Sequence, residues 1–384
     1  MHYGIDLHSN NFIIAYRNEK ENIETKKYYL EETSLTSFKR RLTKDDIIAV
    51  ESTLTSYYFY DEISPLVKEV KIVNPLRFKI IAESTNKNDK KDAKTILEFL
   101  ELGFIPEIKV PNKEVRTLRG LFSTYQLLVK EKTAAKNRIY AILKSKGITI
   151  DKKDIFSKKG QQAILDQEYN VSEKLQIEIL LDQIKVLGNK EMEVKKVILT
   201  YCTIFYKEIE ILTTIPGISP FIALALMTDI SDINNFSNPK KLCSYLGLVP
   251  KVKSSNDKKW SGKITKKGRK LSRALLSQII FHFVKSSKLY EEFYLNKKKE
   301  KGAGKAVVAL MRKLVVIIYH MLKNKEKYRY VIERQYKNKL NECLKIIDEV
   351  KKIDDKCLIE WEDKIRLKYD LTYLKSKHKL KNIA

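Results

Sequence analysis

The chain has 384 residues, too many for one ordinary core and enough for two or three domains of roughly 100 to 200 residues each. Its 75 Lys and Arg outnumber 48 Asp and Glu, a formal charge of +27 on a background that is 43% hydrophobic. Such an excess repels basic partners and attracts a polyanion, nucleic acid above all, with a Lys-rich composition bias as the plain alternative.

The cysteines Cys202, Cys243, Cys343 and Cys357 are scattered and form no C-x-x-C pair, which argues against a zinc cluster and a disulfide framework and for reduced thiols. The opening MHYGIDLHSNN lacks a basic flank followed by an apolar stretch, and the most apolar helical run, AVVALMRKLVVIIYHML, is interrupted by Arg312 and Lys313. We therefore expect no export signal, no membrane contact and a cytoplasmic location.

In chain order, YGIDLH and NFIIAYRN read as a hairpin, with KKYYLE as a third strand. A helix, SLTSFKRRL, precedes the apolar strand DIIAVES, and a second helix over YYFYDEISPLVKEV precedes KIVNP. After Pro75 the pattern turns helical through FKIIAES and NKNDKKDAKTILEFLELG, closed by Gly103. Short strands alternating with helices are the pattern of an α/β layer fold. From about Glu114 to Thr200 long charged helices follow, broken at Gly147, and read as an antiparallel helical hairpin or a coiled-coil partner surface. A third region opens at ILTTIPGIS and is dense in turn signals: Pro216-Gly217, Asn238-Pro239, Gly247, Pro250 and Gly268. The stretch from Tyr328 to Ala384 is Lys-rich and reads as a basic helical tail.

Four carboxylates stand out. Asp6 lies in the apolar strand GIDLH, where a buried charge is costly unless it binds a cation or is otherwise paired. Glu51 ends the apolar run IIAVE, at the carboxyl end of a strand, where open sheets place their ligands, although it could instead cap the following helix. Asp89 and Asp92 are three apart in a helical stretch and so share one face, although either could be a solvated helix-start acid beside a lysine. Together the four could hold Mg²⁺, two ions in number, through oxygen ligands and clamp the attacking and leaving oxygens of a phosphodiester. His8 would share the strand face of Asp6, but a lone His is more often structural and receives no role.

These features resemble the DEDD transposases of the insertion sequence 110 group, which includes the Piv and MooV invertases. Over Met1 to about Tyr330 the chain carries Gly4-Ile5-Asp6, Glu51-Ser52-Thr53 and Asp89-Lys90-Lys91-Asp92-Ala93 in the family's order and spacing. Further on stand Ile215-Pro216-Gly217-Ile218, Tyr245-Leu246-Gly247-Leu248-Val249-Pro250, Ser254-Ser255 and Ile264-Thr265-Lys266-Lys267-Gly268. One departure is that the family's serine is usually followed by glycine, whereas Asn256 follows here.

The resemblance implies an α/β N-terminal ribonuclease-H-like (RuvC-like) domain over 1–108, a helical coiled-coil or dimerisation region over 109–204 and a mostly α-helical transposase domain over 205–327, before a basic extension over 328–384. It implies a recombinase that excises and inserts its own element through Mg²⁺ and a serine nucleophile with a phosphoserine intermediate. Ser255 is the best match, Ser254 the second choice and Ser261 a distant third. It also implies a composite site between protomers of a dimer or tetramer, and a bridge RNA that pairs with donor and target DNA. On the residues alone, a Ser-Ser pair in a polar loop reads as a turn.

Lys263, Lys266, Lys267, Arg269, Lys270 and Arg273 surround Gly268 where a helix starts, an arrangement that suits a phosphate cradle, and Trp260 is placed to stack on a base. A solvated helix end is the plain alternative. The IPGIS turn could offer amides to a phosphate or be a tight helix-to-helix turn. Two competing functions remain: a RuvC-like nuclease that hydrolyses DNA junctions with metal-activated water, and a non-catalytic nucleic-acid-binding protein.

Overall fold

In the computed structural model, which describes residues 1–81, 88–149, 155–255, 258–329 and 338–339, the chain divides into two units, Met1–Asn112 and Lys113–Ala384. The first holds β1 (His2–Leu7), β2 (Asn11–Arg17), β3 (Ile23–Tyr29), α1 (Glu32–Lys39), β4 (Ile47–Glu51), α2 (Ser56–Ile63), β5 (Glu69–Val73), α3 (Pro75–Ile81), α4 (Asp89–Glu101) and β6 (Glu107–Ile108). One sheet runs in the order β3-β2-β1-β4-β5-β6. The first three strands are antiparallel, β4 and β5 run parallel to β1, and β6 returns antiparallel.

Two elements differ from the sequence reading. The third strand begins at Ile23, because it pairs with β2 along seven residues. The second helix stops at Ile63 instead of running to Val70: Pro65 cannot continue a helix, and Glu69 and Val70 join β5.

The two-residue period of β1 decides how the sheet is covered. Tyr3, Ile5 and Leu7 turn to one face with Phe12 and Ile14, under Phe38 of α1 and Phe59 and Ile63 of α2. Gly4 and Asp6 turn to the other. There Ile13, Ala15, Ala49 and Val73 lie under the apolar stripe of α4, Ala93, Ile96, Leu97 and Leu100. Gly4 lets this helix approach: a Cβ at that position would stand 2.3 Å from the Ala93 carbonyl oxygen and 2.3 Å from the Leu97 nitrogen. Asn88 caps α4, its side chain accepting from the Lys90 amide at 3.2 Å, so the helix starts at Asp89.

The second unit holds α5 (Lys113–Ser145), α6 (Lys158–Leu165), α7 (Val171–Thr200), α8 (Tyr206–Thr213), α9 (Pro220–Ile230), α10 (Pro239–Tyr245), β7 (Pro250–Ser255), β8 (Lys258–Ile264), α11 (Lys270–Lys285), α12 (Lys288–Lys301) and α13 (Ala303–Asn324). Helices α5 and α7 run antiparallel, tied by Lys132 to Glu191 partway along and by Lys146, just past α5, to Glu173 at 2.8 Å at one end. At that end Ile139 and Leu143 pack with Ile164 of α6 and Ile177. At the other end Leu118, Phe122 and Ile198 belong to the same core as Leu212, Phe221, Leu276 and Leu314, so this end of the pair shares a core with the helices that follow.

The region expected to be a serine loop is instead a β-hairpin inserted among helices. Ser254 and Ser255 end β7, opposite Lys259 and Lys258 of β8. Val252, Trp260 and Ile264 favour strand conformation here, while Asn256 lies outside the described residues. The IPGI turn is packed inside: Ile215, Pro216 and Ile218 are buried, and Ser219 caps α9. It joins α8 to α9 as a tight helix-to-helix turn. The tail after Tyr328 lies almost wholly outside the described residues, apart from Lys339, whose Nζ donates to the carbonyls of Thr213 at 3.0 Å and Ile215 at 2.9 Å. Among the described residues no helix is long and apolar enough to cross a membrane.

Candidate active site

The acidic cluster forms where β1 and β4 end. Parallel register pairs Ile5 with Val50, which sets Asp6 beside Glu51 at the carboxyl ends of neighbouring strands, on the face covered by α4. Asp6 is only 3% exposed and Glu51 is half-buried. Because Gly4 draws α4 down onto β1, the first residue of the helix, exposed Asp89, comes over this corner. His8, just past β1, fills the gap: its Nε2 lies 3.3 Å from an oxygen of Asp6 and 3.3 Å from one of Asp89. Ligand atoms of Asp6, His8 and Asp89 all fall within 4.8 Å of one another. Asp92 follows on the same face of α4, half-buried beside Ala93. Glu51 does not cap the next helix, since α2 begins five residues on, after Thr55.

Crowding of carboxylates shows in Asp6. Burial pushes its carboxyl from 3.8 up to about 7, the charge of Glu51 and a hydrogen bond shared with it push the same way, as does the charge of Asp89, and His8 opposes them. A cation placed among these groups would relieve the strain. The residues fit a hard divalent ion: carboxylate oxygens from two strands and a helix start, beside a buried His8 Nε2 that has no hydrogen-bond partner.

In the second unit, the basic segment serves the fold as well as the surface. Gly268 (φ 125°) lies so close to α10 that a Cβ would stand 2.1 Å from the Tyr245 carbonyl oxygen. Arg269 Nε donates to the Tyr245 hydroxyl at 2.8 Å and sits 3.8 Å from Asp229, and an Arg273 NH group donates to the Leu246 carbonyl at 3.0 Å. The amide and hydroxyl of Ser272 both donate to buried Asp229, at 3.2 and 2.6 Å. That carboxylate therefore holds the anion position at the start of α11 which the sequence reading offered to phosphate. Arg269 and Arg273 brace the base of the hairpin, whereas Lys266, Lys267 and Lys270 are exposed. Lys263 and Trp260 lie on β8.

Sequence reasoning gave His8 no role, quoted Tyr245 only within its motif, and missed Asp229. For Asp229 a signal existed, a lone acid in the apolar helix PFIALALMTDI, the same argument that singled out Asp6.

An acidic site at the strand ends of a mixed sheet, followed by a basic and mostly helical unit with a braced hairpin, has the make-up of a DNA-processing transposase. Comparison with known proteins agrees. A family model of DEDD transposases of the insertion sequence 110 group, described as "Transposase", matches residues 3–147, and one described as "Transposase IS116/IS110/IS902 family" matches residues 209–295, together more than half of the chain. Over 293 residues the chain is 24% identical to the transposase for insertion sequence element IS1111A of Coxiella burnetii, covering 73% of this chain and 79% of that one. It is 27% identical over 284 residues to the transposase for insertion sequence element IS1328 of Yersinia enterocolitica, covering 72% and 81%. A probable family 20 transposase of Pseudomonas aeruginosa is 22% identical over 283 residues, covering 71% and 81%. The chain belongs to the insertion sequence 110 family of DEDD transposases, and is an enzyme acting on DNA.

Proposed function

We propose that this transposase cleaves and rejoins DNA strands to excise and insert a mobile element, with Asp6, Glu51, Asp89 and Asp92 as metal ligands and Ser255 as nucleophile. The observation that carries the reading is the convergence of Asp6, His8 and Asp89 beside Glu51 at the strand ends. A ribonuclease-H-like (RuvC-like) fold for the first unit is supported by its strand order, antiparallel through the first three strands and parallel beyond.

Bound at the four carboxylates, two Mg²⁺ ions supply Lewis-acid charge to phosphate oxygens. The chain's own residues do the rest. The Ser255 hydroxyl loses its proton to a base, its oxygen attacks phosphorus, and the 3′ oxygen leaves and is protonated, giving a phosphoserine ester that the reverse step resolves onto a new 3′ end. Ser254 is the second choice. Lys263, Lys266, Lys267 and Lys270, with help from Arg269 and Arg273 beyond their bracing contacts, engage backbone phosphates, and Trp260 stacks on a base. A bridge RNA guides target choice, in keeping with a +27 charge, and the active assembly is a dimer or tetramer joined through the α5–α7 pair and working at the nucleoid.

The test uses DNA carrying the element's ends, Mg²⁺ and the co-transcribed flanking RNA. The wild type is expected to give a covalent protein–DNA adduct and strand exchange, both lost in Ser255→Ala and Asp6→Asn and both lost on removing the RNA. Strand cleavage that persists in Ser255→Ala, with no adduct in the wild type, would replace strand transfer by hydrolysis. Activity without RNA would remove the guide.

A further inference from the structure

The acidic corner contains one nitrogen that the four carboxylates do not account for. The backbone of His8 is held on both sides, its amide donating to the Asn11 carbonyl at 2.8 Å and its carbonyl accepting from the Thr55 hydroxyl at 3.1 Å. The imidazole is thus aimed by the β1–β2 turn and by the loop that follows Glu51. Its ring is 40% exposed, yet Nε2 is buried and has no hydrogen-bond partner, although two carboxylate oxygens lie 3.3 Å away. The nitrogen is within touching distance of both acids but not oriented to donate to either.

That spacing has a simple meaning in coordination geometry. Adjacent ligand atoms of an octahedral ion with bonds of about 2.1 Å stand about 3.0 Å apart, and opposite ones about 4.2 Å. The two separations of 3.3 Å lie close to the adjacent-ligand spacing, so Nε2 and an oxygen of each acid can share one ion.

We propose that His8 Nε2 is itself a metal ligand, completing a mixed nitrogen and oxygen set with Asp6 and Asp89, and that this nitrogen biases the site toward Mn²⁺ and later first-row ions over Mg²⁺. Imidazole nitrogen binds transition ions better than it binds Mg²⁺, which prefers carboxylates and water. The inference rests on the carboxylate site described above, and goes beyond it in assigning a ligand outside the DEDD set and a metal preference.

The experiment uses the full chain loaded with Mn²⁺, read by pulsed electron paramagnetic resonance for ¹⁴N coupling, together with Mn²⁺ and Mg²⁺ affinities by competition titration. Wild type is expected to show imidazole ¹⁴N coupling. His8→Gln, whose amide oxygen can reach the Nε2 position, should lose the coupling, retain Mg²⁺ binding and lower the Mn²⁺-to-Mg²⁺ affinity ratio by about tenfold or more. Should that variant fail to fold, His8→Asn, whose amide falls short of the position, gives the same reading. Mn²⁺ binding that depends on Asp6 but lacks ¹⁴N coupling, or a ratio unchanged on substitution, would leave His8 as a mere bridge between two acids and overturn the proposal alone. Undiminished Mn²⁺ affinity in Asp6→Asn would overturn the carboxylate site as well.

Discussion

Gly4→Ala is the most informative single change outside the charged residues. The added methyl group would sit 2.3 Å from the Ala93 carbonyl oxygen, 2.3 Å from the Leu97 nitrogen and 2.8 Å from the Leu97 Cα, against ordinary contacts of 3.4–4 Å. All three are backbone atoms, so no side chain can swing aside, and α4 must lift by about 1 Å. Overpacking of this kind costs about 1–3 kcal/mol or more. Taking the upper half of that range, a unit of this size should melt roughly 10 °C lower. The lift also carries Asp89 away from Asp6 and His8, and a misplacement of about 1 Å can cost on the order of 100-fold in rate. Thermal unfolding and a DNA strand-cleavage assay at a temperature where the variant remains folded separate the two effects. If Gly4→Ala melts and cleaves like wild type, α4 is not held against β1 in the way described.

Three further outcomes are expected. In metal-free protein Asp6 holds its proton with a value of about 7 when folded against 3.8 unfolded, so as far as this group is concerned stability is greatest below about pH 4. It falls as pH rises through 7, and denaturant titrations across pH with and without Mg²⁺ should show this slope flattened by the ion. Asp229→Ala leaves the Ser272 amide and hydroxyl without their acceptor and should destabilise the second unit by about 2–3 kcal/mol, more than Ser272→Ala does, as measured by chemical denaturation. The thiols of Cys202 and Cys243 are buried and pushed up by that burial, so peptide-resolved labelling should find both silent in the native protein and reactive only after unfolding.

Residues whose chemistry conflicts with their surroundings were the ones legible in the sequence. A charge inside an apolar strand marked Asp6, and of the three acids that motif spacing joined to it, Glu51 and Asp89 lie beside it in the fold while Asp92 stands further along α4. His8 was seen to share the strand face of Asp6 but was given no role, because a lone imidazole has no pattern; only the folded β1–β2 turn brings it to two acids. The acceptors of Arg269 and Arg273, the Tyr245 hydroxyl and the Leu246 carbonyl, were not legible because they lie about 25 residues back and become neighbours only in the fold. The β7–β8 hairpin was missed because its strands are rich in Lys and Ser and lack the apolar alternation that betrays β1 and β2. Pro65 was the one local signal read too lightly, and it shortened α2.

The braced hairpin separates two kinds of selection along a single pair of strands. Its base is locked to α10 by Gly268, Arg269 and Arg273, while Ser254 and Ser255 stand at the other end of β7, roughly 17 Å away for five extended residues. A hairpin anchored at one end only can change at its tip without disturbing the helical core, whereas a change at its base acts first on the fold.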